Sequence, residues 1–146
     1  MSTNSTISLQ NADGTVRSIY CHWDGYPSYN GRILVNNYNT IEKVEALIAL
    51  GDLSVLAESP ELPEWHSFNN PIKGYCVAYG RDRGDSNTEA KVYESSELRR
   101  YDDSLKTYLW GGFEYNYLFK NGEWYVTEGN DFNSTVKVIN YEEVNG

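Results

Sequence analysis

The sequence predicts an α+β fold: one domain over residues 1–146, with an antiparallel sheet built from hairpins and helices packed on one of its faces. Three observations point there. Two dipeptides, Asp13-Gly14 and Asn121-Gly122, sit between strand-like runs and are favoured two-residue hairpin turns. Between them, Asn39 to Gly51 carries apolar residues at helical spacing. No repeat, low-complexity tract or linker divides the chain, and a domain of this length buries about 70% of its unfolded surface, enough for one core.

Taken in order, Ser5 to Trp23 reads as a hairpin in which Leu9 pairs with Ser18 and Ile7 with Tyr20. One face then collects Ile7, Leu9, Val16 and Tyr20, and an unbroken strand places His22 on that face and Cys21 and Trp23 on the other. Asp24-Gly25-Tyr26-Pro27 ends the strand. Ser28 suits the N-cap of a short helix over Tyr29 to Asn37, and Asn39 that of a second, with Glu42 completing a capping box. There Ile41, Val44, Leu47 and Ile48 share a face, and Gly51 supplies the left-handed stop.

Glu58 to Pro71 holds three of the four prolines and no periodicity, so it reads as a long surface connection. Gly74 to Gly80 is a short apolar run that suits a central strand. Arg81 to Asn87 reads as a loop, Thr88 to Tyr93 as a strand and Ser95 to Tyr108 as a helix. Around Asn121-Gly122, Phe119 faces Trp124 and Tyr117 faces Val126, while Leu118 and Tyr125 lie on the opposite face. Val136 to Ile139 is the last expected strand.

Composition bounds the function. The formal charge is −9, from 21 acidic and 12 basic residues, so phosphate backbones are repelled and direct nucleic-acid binding is not expected. Cys21 and Cys76 lie in apolar runs without metal-site spacing, which suits reduced core thiols in a cytosolic protein. Met1 to Ser5 lacks a basic region and an apolar run, and no segment approaches the length that spans a bilayer, so the expected location is the cytoplasm. Thirteen tyrosines and four tryptophans supply rigid amphipathic area for a core or an interface.

The densest chemistry is Ile19-Tyr20-Cys21-His22-Trp23-Asp24-Gly25-Tyr26-Pro27. His22 and Asp24, two apart on a strand, would point to one side and could form a base with its orienting carboxylate. They could instead begin a metal site with His66 as a third donor, but a structural hydrogen bond from His22 to backbone or to Asp24 is the expected reading. With only two histidines in the chain and no acidic cluster at ligand spacing, no metal or other cofactor is expected. Arg81-Asp82-Arg83-Gly84-Asp85 could form a fork for phosphate or carboxylate, or a solvated loop with local ion pairs. Joined to His22, Trp23, Asp24 and Tyr26, the Arg81 and Arg83 fork would suit a nucleotide. Ser2 could serve as an N-terminal nucleophile only in the way any small second residue could. Tyr26, Tyr29, Trp65, Trp110 and Trp124 are candidates for an exposed aromatic patch, and Glu58, Glu61, Glu64, Asp102 and Asp103 for acidic contacts beside it.

The pattern Met1-Ser2-Thr3-Asn4-Ser5-Thr6-Ile7, then Ile19 to Pro27 and a later Arg81-Asp82-Arg83-Gly84, resembles a group of small proteins carried by phages and prophages. The likeness extends through Ala46 to Leu53 and Tyr115 to Phe119 and so covers most of the chain. It implies a viral origin and an action against the host, by blocking a defence protein or sequestering a nucleotide signal. It carries over no site residue. The resulting expectation is a non-enzymatic accessory protein that binds and inhibits or sequesters a host component. The alternative is a nucleotide-binding protein or small nucleotide-processing enzyme built on His22, Trp23, Asp24, Arg81 and Arg83. The expected partner is a host protein or a small nucleotide, with self-association a further option and no membrane.

Overall fold

The structure, a computed structural model, describes residues 3–94, 101–102, 107–108, 114–128 and 137–139. The fold is α+β. Strands β1 (Ser5–Gln10), β2 (Val16–Cys21), β3 (Leu53–Val55), β4 (Val77–Ala78), β8 (Tyr115–Lys120), β9 (Glu123–Glu128) and β10 (Lys137–Ile139) form one sheet in the order β10-β9-β8-β1-β2-β3-β4. A further strand, β5 (Lys91–Tyr93), pairs with the first half of β2, while β6 (Tyr101–Asp102) and β7 (Thr107–Tyr108) pair only with each other. The sheet is mixed rather than wholly antiparallel, because β1 runs parallel to β8 and β2 parallel to β3. Those two pairings are long-range crossovers, which hairpin turns do not signal.

The first hairpin closes one residue later than a two-residue turn would close it. Asn11 N donates to Thr15 O at 2.7 Å and Gly14 N to Asn11 O at 3.0 Å, so the loop is Ala12 to Gly14. Asp13 Oδ1 holds it by accepting from Thr15 N at 3.0 Å and Thr15 Oγ1 at 2.6 Å, side-chain chemistry that favours the longer turn. Ile7 therefore pairs with Ile19 and Ser8 with Ser18. Since a one-residue slip exchanges the faces, Ile7, Leu9, Ile19 and Cys21 share the core face, and Val16 packs behind the sheet with Leu118 and Tyr125. Cys21, not His22, is the buried member of its pair.

The second hairpin keeps the expected register: Phe119 opposes Trp124, Tyr117 opposes Val126, and Leu118 with Tyr125 faces the other way. Asn121 (φ 53°) and Gly122 (φ 79°) take the two left-handed positions that such a turn requires.

Helices pack on the core face. A single π-helical turn, Pro27–Gly31, runs into α1 (Arg32–Asn37), and Pro27 rather than a Ser28 cap opens it, a position where its missing N–H costs nothing. Helix α2 (Ile41–Ile48) is capped by Thr40, whose hydroxyl accepts from Lys43 N, so Asn39 and Glu42 do not form the expected box. Val44, Leu47 and Ile48 are buried, Ile41 is 47% exposed, and Gly51 (φ 75°) provides the stop. These helices cover Ile7, Leu9, Ile19, Tyr117, Phe119 and Trp124.

Farther along, the apolar run after Gly74 forms a two-residue strand at the end of the sheet order rather than a central one. It turns directly into α3 (Tyr79–Arg83), where a loop was expected, and Gly84 ends that helix in the left-handed conformation. Within the segment expected as a helix over Ser95 to Tyr108, β6 and β7 are strands, and the remainder lies outside the described residues. Among the described residues no helix is long and apolar enough to cross a membrane.

Candidate functional site

The His22 segment is a structural corner. Beyond Cys21 the chain still follows β3, with His22 N bonded to Leu53 O at 3.0 Å and Trp23 N to Ser54 O at 3.1 Å. Asp24 then adopts φ 58° and reverses the direction. Gly25 N donates to Thr3 O at 2.7 Å, and a Cβ on Gly25 would lie 2.8 Å from the carbonyl oxygens of Thr3 and Asn4, so only glycine fits. From the far side of the core, Tyr117 Oη donates to Gly25 O at 2.7 Å. The buried Asn30 amide completes the corner by donating to Trp23 O at 3.2 Å.

His22 and Asp24 do not form the expected dyad. His22 Nδ1 shares a hydrogen bond of 2.7 Å with Tyr20 Oη, and its ring meets the Trp23 ring edge-on at 4.7 Å. Asp24 Oδ1 instead accepts from Tyr26 Oη at 3.3 Å. The strand alternation that would have aligned the pair stops at Cys21, which explains the difference. Among the described residues no three His, Cys, Asp or Glu side chains converge to hold a metal.

Arg81 and Arg83 are likewise engaged. Arg81 Nε and Nη2 donate to the two carboxylate oxygens of Asp82 at 2.8 and 3.0 Å. Its remaining donors reach Pro60 O at 2.7 Å and Cys76 O at 3.0 Å. Asp82 also accepts from Ala78 N at 2.8 Å and lies 3.4 Å from Nε2 of His66, close enough for charge attraction but without a hydrogen bond. His66 Nδ1 accepts from Ile72 N at 3.0 Å, so in the neutral ring the proton sits on Nε2, toward Asp82. The side chains of His66 and Asp82 are 0% and 1% exposed. Burial pushes the Asp82 carboxyl up, but the Arg81 hydrogen bonds, the Ala78 amide and the Arg81 charge outweigh it and hold the group below its ordinary value. Arg83 pairs with Asp85 at 2.7 Å and lies over the rings of Phe68 and Tyr79, 4.5 and 4.9 Å from their centroids.

These contacts have one structural result: the Arg81–Pro60 hydrogen bond, with the His66–Asp82 contact and Arg83 over Phe68, pins the connection between Leu56 and Tyr75 to α3. Sequence reasoning missed the His66–Asp82–Arg81 staple, because its members lie in segments read as two independent loops. At the crest of the pinned connection Trp65 is 84% exposed and holds φ 71°, a left-handed conformation that costs a bulky residue about 1–2 kcal/mol. Leu62 is 58% exposed beside it, and Glu58, Glu61 and Glu64 are all exposed.

The other candidates separate. Tyr26 is exposed and stacks edge-on with Tyr29 at 6.3 Å. Trp124 belongs to the core, its indole N–H bonded to Tyr38 O at 2.9 Å. Asp102 falls within β6, while Trp110 and Asp103 lie outside the described residues. Compared with protein-family models, curated proteins and solved structures, the chain matches none.

Proposed function

We propose that this protein is a non-enzymatic binding protein of the host cytoplasm, which presents Trp65 on a pinned acidic loop to a host protein and blocks the surface it occupies. The observation that carries this reading is Trp65 itself. An indole 84% exposed, held in left-handed backbone above a buried staple, is unfavourable for the isolated chain and pre-organised for a partner's pocket. Tryptophan is the residue type most enriched among interface anchors. Glu58, Glu61 and Glu64 are exposed on the same connection in a chain of net charge −9, which suits a partner whose pocket is rimmed by Lys or Arg and would speed the encounter. The sequence likeness to small phage proteins supports a host component, and a defence protein among those, as the target.

Affinity capture from host lysate with wild type, Trp65→Ala and the double variant Glu61→Lys/Glu64→Lys tests the reading. The expected outcome is one host protein at stoichiometric yield on wild type and at least a tenfold loss with Trp65→Ala, equivalent to about 1.4 kcal/mol. The double variant should slow association and flatten its dependence on salt. Equal recovery by wild type and Trp65→Ala contradicts the proposal.

A further inference from the structure

A second feature is bordered by both ends of the same connection. Between α1 and the segment Pro71 to Tyr75 the surface opens into a cleft of about 540 Å³, within the range of small-molecule sites. Its floor is apolar, from Ile33, Val55, Ala57 and Val77, and Tyr29 and Tyr75 offer ring surface on its walls. Arg32 and Lys73 line it, with Glu58 as the single carboxylate. A locally positive site is unexpected in a chain with 21 acidic and 12 basic residues.

The state of these cations is informative. Among the described residues Arg17, Arg81 and Arg83 each meet a carboxylate, while neither Arg32 nor Lys73 is in an ion pair. Burial, then Asp24 and Glu58, push the Tyr29 phenol up while Arg32 pulls it down, so charges of both signs act on one ring at the cleft wall. A guanidinium and an ammonium in no ion pair among the described residues, above an apolar floor flanked by phenol rings, match a phosphate monoester attached to a planar ring. Asn37 Nδ2 is held by Ile33 O at 3.2 Å, which leaves its carbonyl oxygen to accept from a ligand hydroxyl or amine.

We propose that this cleft binds a nucleoside monophosphate, with Arg32 and Lys73 taking the phosphate and Tyr29 or Tyr75 stacking on the base. The nucleotide site expected at His22 and Arg81 thus moves to other residues, whose cations are not already spent. The site is independent of Trp65, so neither proposal needs the other.

The test is titration of the full chain with adenosine 5′-monophosphate, adenosine and inorganic phosphate, followed by calorimetry and by amide chemical shifts. The expected result is one adenosine monophosphate per chain, with shifts confined to residues 29–37 and 72–75. Arg32→Gln should weaken binding about tenfold or more and Lys73→Gln about threefold or more, because both residues are exposed and their replacement leaves the fold intact. Adenosine and phosphate alone should each bind at least tenfold more weakly than the joined molecule. Absence of binding at millimolar nucleotide, or unchanged affinity in both variants, overturns the proposal. Phosphate binding as tightly as the nucleotide overturns the ring contact.

Discussion

The corner from Cys21 to Pro27 and the connection from Leu56 to Tyr75 are both irregular, and each carries histidine, tryptophan, tyrosine or phenylalanine, proline and carboxylates. They use them in opposite ways. In the corner the polar groups bond mostly to one another and to the core, through the Tyr20–His22 bond, the Gly25 bonds to Thr3 and Tyr117, and the Asn30 amide under Trp23, although the Trp23 and Tyr26 rings are partly exposed. In the connection only the underside is spent, on Asp82, Arg81 and α3, while the outer side exposes Leu62, Trp65 and three glutamates. Density of reactive residue types therefore marks where the fold turns. The most exposed large apolar side chain among the described residues, Trp65, lies on a segment with no pattern at all.

Substitutions can break that contrast, beginning with the largest effect. Asp82→Ala leaves Arg81 and the buried His66 ring without their carboxylate, and should cost about 3 kcal/mol in urea unfolding. Hydrogen exchange at the Ile72 amide should accelerate, since His66 holds it. The Asp82 carboxyl sits below its unfolded value, so its contribution is present above about pH 4 and is lost as pH falls through the folded pKa. Wild type should accordingly lose stability more steeply in acid than Asp82→Ala does.

Gly25→Ala comes next. A Cβ facing two backbone oxygens at 2.8 Å cannot be relieved by a side-chain rotation, and a loss of about 2 kcal/mol is expected by the same assay. Tyr117→Phe removes the hydroxyl that serves the Gly25 carbonyl from the core, at about 1 kcal/mol. If both were neutral, the corner would not be structural. Cys21 extends the argument to reactivity: burial pushes its thiol up to about 12, and it is 0% exposed. Iodoacetamide at pH 8 should leave it unmodified in the folded protein and alkylate both cysteines in guanidinium. The smallest effect on stability is expected at Trp65→Gly, which removes no packing and relieves the left-handed backbone. Its unfolding free energy should equal that of wild type or exceed it by about 0.5 kcal/mol.

Much of this architecture was legible. The Asn121-Gly122 hairpin, its register and its two faces follow from turn chemistry and alternation, and so do the α2 core face and its Gly51 stop. The first hairpin was misread by one residue because Asp13 and Asn11 side chains stabilise a longer loop than the dipeptide implies. That slip moved His22 and Cys21 to the wrong faces, and the end of the strand at Cys21 separately undid the expected His22–Asp24 pair. The parallel pairings of β1 with β8 and β2 with β3 depend on contacts far apart in sequence, which no local signal encodes. At the candidate site, exposure of Trp65 and the glutamates was legible from their lack of periodicity. The staple beneath them was not, because Asp82 next to Arg81 reads as a solvated pair until a distant histidine covers it.

The most direct test sets one variant from each region side by side. His22→Ala and Trp65→Gly would be compared with wild type for stability and for recovery of the captured host protein. His22→Ala should keep the partner at some cost in stability, while Trp65→Gly should keep or gain stability and lose the partner at least tenfold. Loss of the partner with His22→Ala, and its retention with Trp65→Gly, would contradict it and return the site to the corner.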